Sequence, residues 1–448
     1  MKRIVRLSLF LLFIGILFGI LATFFAGASA QAAHTSEINT GDSAWILVAT
    51  ALVMIMTPGV GFFYGGMVKK KNVVSILKQS FVILAIVSIQ WVLFGYSLVF
   101  GTDNAGIIGG LNFFGLRGVG FDPNPDYAGT IPHLSFMMFQ AMFAIITPAL
   151  IIGAVAERMS FKALLIFTLL WTTLIYDPIA HWVWGIGGWL RALGALDFAG
   201  GTVVHISAGF AGLAAAMMVG KRAVSKAANN VQYAHNVPFV LLGAVLLWFG
   251  WFGFNAGSAL SASGLAWSAF VTTNTAAAAA GLVWMFLSWK EHKKPSALAT
   301  AIGAVCGLVA ITPASGFVGP IASIAIGIIA GVITYLALMF RTRKMPVDDT
   351  LDVWAAHGVG GLTGALLTGV FAEKAINSAG NNGLLFGNPE QVAIQFLAVC
   401  ATALYAFFGT WVILKVLGMF MKLRVSKAEE EAGLDKSAHG EAGYVLSD

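Results

Sequence analysis

The sequence predicts an all-α polytopic membrane protein: eleven transmembrane helices, arranged as a 5+5 inverted repeat plus a long C-terminal helix. Three observations predict it. The composition is too apolar for a water-soluble core, long uncharged runs alternate with basic loops, and two short strings recur in order in the two halves of the chain.

Of the 448 residues 58% are hydrophobic and only 10% are charged, with a mean hydropathy of +0.84. A soluble domain carries roughly a quarter charged residues, so most of this chain has lipid as its solvent. The 52 glycines agree, since glycine lets membrane helices approach closely. The net charge of +6 is no nucleic-acid footprint; its distribution along the chain gives orientation.

Residues 1–33 form a separate unit. A basic "MKRIVR", an apolar "LSLFLLFIGILFGILATFFAG" and the small residues of "ASAQA" make a signal peptide that is cleaved. A retained first helix is the alternative, because the apolar run is long. The two cysteines, Cys306 and Cys400, lie far apart in apolar segments and make no disulfide framework or metal pair.

A crossing needs roughly 20 apolar residues. Uncharged runs of that kind are Ala44–Val68, Phe81–Phe100 and Ser135–Ala156, then a shorter Ala163–Tyr176 that continues past Asp177, then Phe198–Gly220. Asn236–Trp289 holds two passes, broken at "AGSALSASG", and Pro295–Phe340 holds two more, broken at "SGFVGP". Val353–Ala372 and Gln391–Leu414 complete eleven passes. Loops within 69–71, 158–162, 221–226, 290–294, 341–344 and 422–427 hold seventeen Lys and Arg, whereas the alternate loops hold only Arg117, Arg191 and Lys374. The positive-inside rule therefore places the N-terminus outside and the tail, 424–448, in the cytoplasm, with the transmembrane domain over 34–423.

"ITPA" occurs at Ile146–Ala149 in the third pass and at Ile311–Ala314 in the eighth. The template His-x-x-x-Gly-x-x-Gly occurs at His205 in the fifth pass and at His357 in the tenth. Five is odd, so the second half threads the membrane upside down and matching residues lie at mirrored depths. Two histidines near the midplane can then meet, with the glycines permitting close packing.

An ionisable group at that depth is costly and marks a solute or proton path, although a single such histidine is more often an interhelical hydrogen-bond partner. No adequate metal set surrounds the pair, the nearest acids being Asp197 and Asp352 toward helix ends, so neither a zinc site nor a metalloenzyme is expected. A neutral imidazole dyad suits passage of a small polar solute or a proton. Near the outer end, Trp251, Phe254 and Ser258 of the sixth pass, Phe139 and Phe143 of the third, and Trp184 and Asp197 before the fifth supply rings, a hydroxyl and an acid suited to a small cation. Asp197 can equally cap the fifth helix.

The stretches "PGVGFFYGG", "GAVAERMSF", "GALDFAGGTVVHISAG", "GWFGFNAGS", "DVWAAHGVGGLTG" and "EEEAGLDKSAHGEAGY" span nearly the whole mature chain. In them the sequence closely resembles the Amt/Mep/Rh ammonium transporters, bacterial Amt branch. The resemblance implies an outer ammonium recruitment site of Trp184, Phe139, Phe143 and Ser258 with Trp251 nearby. It makes Phe143 and Phe254 the gate and His205 and His357 the twin histidines of a pore lined by Val60, Phe63, Tyr64 and Val353. Asp197 would shape the outer site by presenting the Ala199 carbonyl. It further implies a homotrimer with one pore per subunit in the cell inner or plasma membrane, no cofactor, methylammonium as a substrate analogue, and a PII signalling protein docking on the cytoplasmic tail. Asp177 departs from the pattern, adding an acid near the outer mouth; the stretch from Trp184 to Asp197 is one residue longer than usual.

Potassium matches ammonium in size and charge, so only loss of a proton separates them. The expectation is a transporter, not an enzyme, in which ammonium deprotonates near the gate and ammonia crosses, with a separate proton path left open. An ammonium sensor signalling through its tail is the alternative, disfavoured because no kinase or cyclase domain follows Leu423.

Overall fold

The computed structural model describes residues 37–223 and 234–444; the expected signal peptide lies outside the described residues. Among the described residues nine helices are long and apolar enough to cross a bilayer. They are α1 (Thr40–Met67), α2 (Lys70–Phe100), α3 (His133–Val155), α4 (Phe161–Leu193), α5 (Gly201–Val219), α6 (Val237–Ala256), α7 (Gly264–His292), α9 (Pro320–Lys344) and α11 (Glu390–Phe420). Two shorter helices, α8 (Ala297–Ile311) and α10 (354–371), take the places expected of the eighth and tenth passes. The breaks fall where the sequence puts them, between Ala256 and Gly264 and between Ile311 and Pro320.

Local chemistry sets the ends. Asn39 accepts from the Asp42 N–H at 3.0 Å and Asn236 from the Phe239 N–H at 3.0 Å, capping α1 and α6, and Pro320 opens α9. Arg341, Arg343 and Lys344 occupy the last turn of α9, where cations meet the negative end of the helix dipole.

Burial separates centre from ring. The apolar stretch of α3 is 89% buried and that of α5 78%, against 39% for α7 and α9. The outer helices present apolar side chains instead, such as Phe81 at 72% and Ile321 at 81% exposure, as lipid-facing residues do.

The two halves repeat in local detail. Thr147 and Thr312, the threonines of the two "ITPA" strings, each donate to the carbonyl four residues back, Phe143 O at 2.6 Å and Leu308 O at 2.7 Å. α5 opens on a six-residue π-turn, Gly201–Ile206, and α10 on another, Trp354–Val359, and each contains its histidine.

The tail's composition alone reads as disordered, yet it is ordered to Tyr444 in two short helices, α12 (Lys427–Ala432) and α13 (Leu434–His439). Polar contacts explain this. Asp435 Oδ1 accepts from Ser75 N–H at 2.8 Å, at the start of α2, and Glu430 accepts from Ala223 N–H and Arg424 at 2.6 Å each. Beneath them Arg222 pairs with Glu157 and with Asp348, both at 2.9 Å.

Candidate functional site

A line of cavities runs through the bundle. The outermost, of about 210 Å3, is bordered by Trp184, Phe143 and Ser258, and also by Gln140, Asp126 and Arg191. The Trp184 indole is aimed by a bond from Nε1 to the Asp197 carbonyl at 3.1 Å, so the longer connection to Asp197 does not turn it away. Its ring meets Phe143 edge-on at 5.7 Å, and Ser258 Oγ donates to the Phe254 carbonyl at 2.8 Å.

Phe143 and Phe254 close the floor. Their centroids are 4.3 Å apart at 37°, a contact that leaves no open passage between them. Phe139 packs edge-on behind Phe143 at 5.0 Å and is fully buried, so it backs the Phe143 ring and does not border the outer cavity.

Below the rings lies a cavity of only about 10 Å3, with Val60, Phe63, Tyr64, His205 and His357 in its wall. Trp251 is here too, on the far side of the Phe143–Phe254 contact from the outer cavity. It stacks at 5.3 Å on His205 and its Nε1 donates to Thr312 at 2.8 Å. Ile146, Leu150, Val204 and Val305, with Met56 and Leu247, complete an apolar lining. Tyr64 turns its hydroxyl out of the way, donating to the Leu150 carbonyl at 3.1 Å. Val353 is fully buried but borders neither this cavity nor the next, since it fills the space beside Gly153 and Gly212.

The two imidazoles meet Nδ1 to Nδ1 at 3.3 Å, with ring centroids 5.3 Å apart at 25°. Two Nδ1–H groups cannot face each other at that distance, so one ring donates and the other accepts, and the pair holds at most one extra proton. His205 Nε2 has no hydrogen-bond partner and its ring borders the cavity, leaving one polar group free for a solute. Glycine makes the approach possible. A Cβ on Gly209 would strike the Gly358 backbone, and one on Gly361 would sit 3.0 Å from the His205 Cβ.

The start of each histidine helix is held by a buried acid. Asp197 accepts from Gly200 and Thr202 N–H at 2.7 Å, from Gly201 N–H at 2.6 Å and from the Thr202 hydroxyl. Buried Ala199 belongs to the turn so formed. At the inner end the counterpart is Asp349, accepting from Val353 N–H at 3.1 Å and Trp354 N–H at 2.8 Å. The signal for it in the sequence is spacing alone: it stands eight residues before His357, as Asp197 stands eight before His205. Asp177 does not reach the outer mouth: it is fully buried between α2 and α4, accepting from Gln90 Nε2 at 2.7 Å.

The match to known proteins is as extensive as the geometry is specific. The Ammonium Transporter Family model covers residues 44–444. The chain belongs to that family. Among relatives of this transporter, the ammonium transporter of Bacillus subtilis is 52% identical over 404 residues, 90% of this chain and 98% of that protein. Ammonium transporter Amt1 of Archaeoglobus fulgidus is 50% identical over 411 residues, covering 91% and 100%. Of solved structures, Saccharomyces cerevisiae Mep2 superposes with a TM-score of 0.83 at 38% identity, covering 88% of this chain and 91% of that one. A sensor Amt protein superposes with a TM-score of 0.81 at 32% identity, covering 89% and 98%. The family makes this transporter a multi-pass membrane protein for ammonium transport.

Proposed function

We propose that this transporter recruits ammonium in the outer vestibule, removes its proton at the Phe143–Phe254 contact and conducts ammonia past His205 and His357. One observation carries the reading. The only polar groups offered to a solute in the 10 Å3 cavity come from a histidine pair already bonded to itself, and every other wall side chain there is apolar or turned away. A full charge at that depth costs about 3 kcal/mol or more, while uncharged ammonia can accept or donate a hydrogen bond at modest cost. Potassium pays the charge penalty with no proton to give up. In the vestibule the Trp184 and Phe143 faces attract a cation by about 1 kcal/mol each, enough to concentrate it without trapping it.

The chain then functions as a homotrimer with one pore per subunit, N-terminus outside and tail in the cytoplasm after signal cleavage, the tail offering a surface to a PII protein. Family membership and the basic inner loops support this arrangement. A second reading, an ammonium sensor signalling through the tail, has support in the likeness to the sensor Amt protein and in the tail's seat on α2 and on the loop after α5.

The test is uptake of labelled methylammonium into proteoliposomes with excess potassium outside, together with the current after an ammonium jump. Potassium-insensitive uptake is expected. Uptake that potassium competes away would overturn the proton-stripping filter; absence of current would assign conduction to ammonia alone.

A further inference from the structure

Beneath the histidines the pathway widens into a second cavity of about 30 Å3. His357 borders both cavities, so a solute leaving the pair enters this one next. The wall here is not uniformly apolar, for Trp284, Thr334 and Asp352 border it. Space of this size holds about one or two waters, too few to connect arriving ammonia freely to bulk solvent. The titratable groups in the wall are then the nearest proton source for a solute held there.

Asp352 is placed for this. It lies just ahead of α10 with φ 57°, a left-handed turn that aspartate tolerates better than most residues with a Cβ. Its Oδ1 is 2.5 Å from Arg341 Nη2, at the end of α9. The other charged and titratable groups around it are Asp349 in its own turn, Arg222 from the loop after α5, Cys306 from α8 and His357 from α10. Tyr64 from α1 shares the cavity and is coupled to Asp349.

We propose, building on the pathway above, that Asp352 is the proton donor of the cytoplasmic cavity. Its carboxyl proton passes to the nitrogen lone pair of ammonia, leaving a carboxylate and an ammonium ion. The Trp284 ring faces the same space and steadies the cation, Arg341 neutralises the new carboxylate and repels the ammonium outward, and hydronium from the cytoplasm reprotonates the acid, releasing water. Burial raises the Asp352 carboxyl above its ordinary range, with Arg341 opposing and Asp349 adding to the rise.

The experiment measures initial methylammonium uptake into proteoliposomes at fixed external conditions, with internal pH clamped between about 6 and about 8. A carboxyl that must carry its proton to donate it predicts a wild-type rate that falls several-fold as the internal pH rises over that range. Asp352→Asn should be slower and flat, Asp352→Glu should restore a pH-dependent rate, and Arg341→Gln should move the midpoint upward. An Asp352→Asn profile that follows wild type overturns the proposal. If that variant does not reach the membrane, an unmoved midpoint in Arg341→Gln overturns it equally. Absence of wild-type uptake would instead remove the pathway itself, so the two failures are distinct.

Discussion

His205 and His357 share a single Nδ1–Nδ1 contact of 3.3 Å across two helices that each open as a π-turn at the histidine. Each turn begins beneath an aspartate that binds its free N–H groups, Asp197 at the outer side and Asp349 at the inner. The pair is thus fixed from both faces of the membrane, and π-turns of this kind concentrate at functional sites.

Replacing both rings, His205→Ala with His357→Ala, removes one net hydrogen bond of about 1 kcal/mol and the packing of two buried rings, so thermal stability is measured beside uptake. Potassium-insensitive methylammonium uptake should be lost. Full, potassium-excluding uptake by the double variant would reduce the histidines to a structural contact.

Phe254→Ala opens the floor of the vestibule. Truncating a buried phenylalanine costs about 3–5 kcal/mol of stability, and the widened passage should admit water and a measurable potassium conductance. A variant that stays potassium-tight in planar bilayers would move the gate elsewhere.

Gly209→Val drives two branches into the Gly358 backbone. Overpacking of this kind costs about 1–3 kcal/mol, and the helices must separate, so uptake should fall more than thermal stability does. Unfolding midpoints in detergent compared with uptake rates check the order of these effects.

Asp197→Asn halves the acceptor capacity for five N–H and O–H donors at the head of α5. The loss should be about 1–3 kcal/mol, and Trp184, held by the carbonyl of the same residue, should shift with it. Reduced thermal stability together with weaker ammonium quenching of tryptophan fluorescence is the expected signature.

The inner face should be acid-sensitive. Burial alone would raise the Glu157 and Asp348 carboxyls, but Arg222 prevails and holds both below their ordinary range. Depressed folded values mean that this stabilisation is complete above the unfolded value of about 4 and is lost as pH falls through the lower, folded values. Protease access to residues 424–444 should therefore rise only below pH about 4. Arg222→Ala leaves two largely buried carboxylates uncompensated, costs about 3–5 kcal/mol and moves that threshold upward.

The eleven crossings, the breaks at Ala256–Gly264 and Ile311–Pro320, the recurring strings and the identity of the paired histidines are legible along the chain. These are one-dimensional properties: whether a run of side chains tolerates lipid is decided residue by residue, and a buried imidazole stands out against it. Which apolar residues border the cavities is settled by helix packing. Ile146 and Val204 border the pore cavity while Val353 and Phe139 stand behind it, because in a helix apolar on every side the direction of a side chain depends on how its neighbours pack. The same holds for Trp251, anchored to Thr312 below the Phe143–Phe254 contact, and for Asp349 over Asp352 as the cap of α10. Hydrogen bonds that span a bilayer's depth of helices have no period along the chain, so they are settled only when the helices meet.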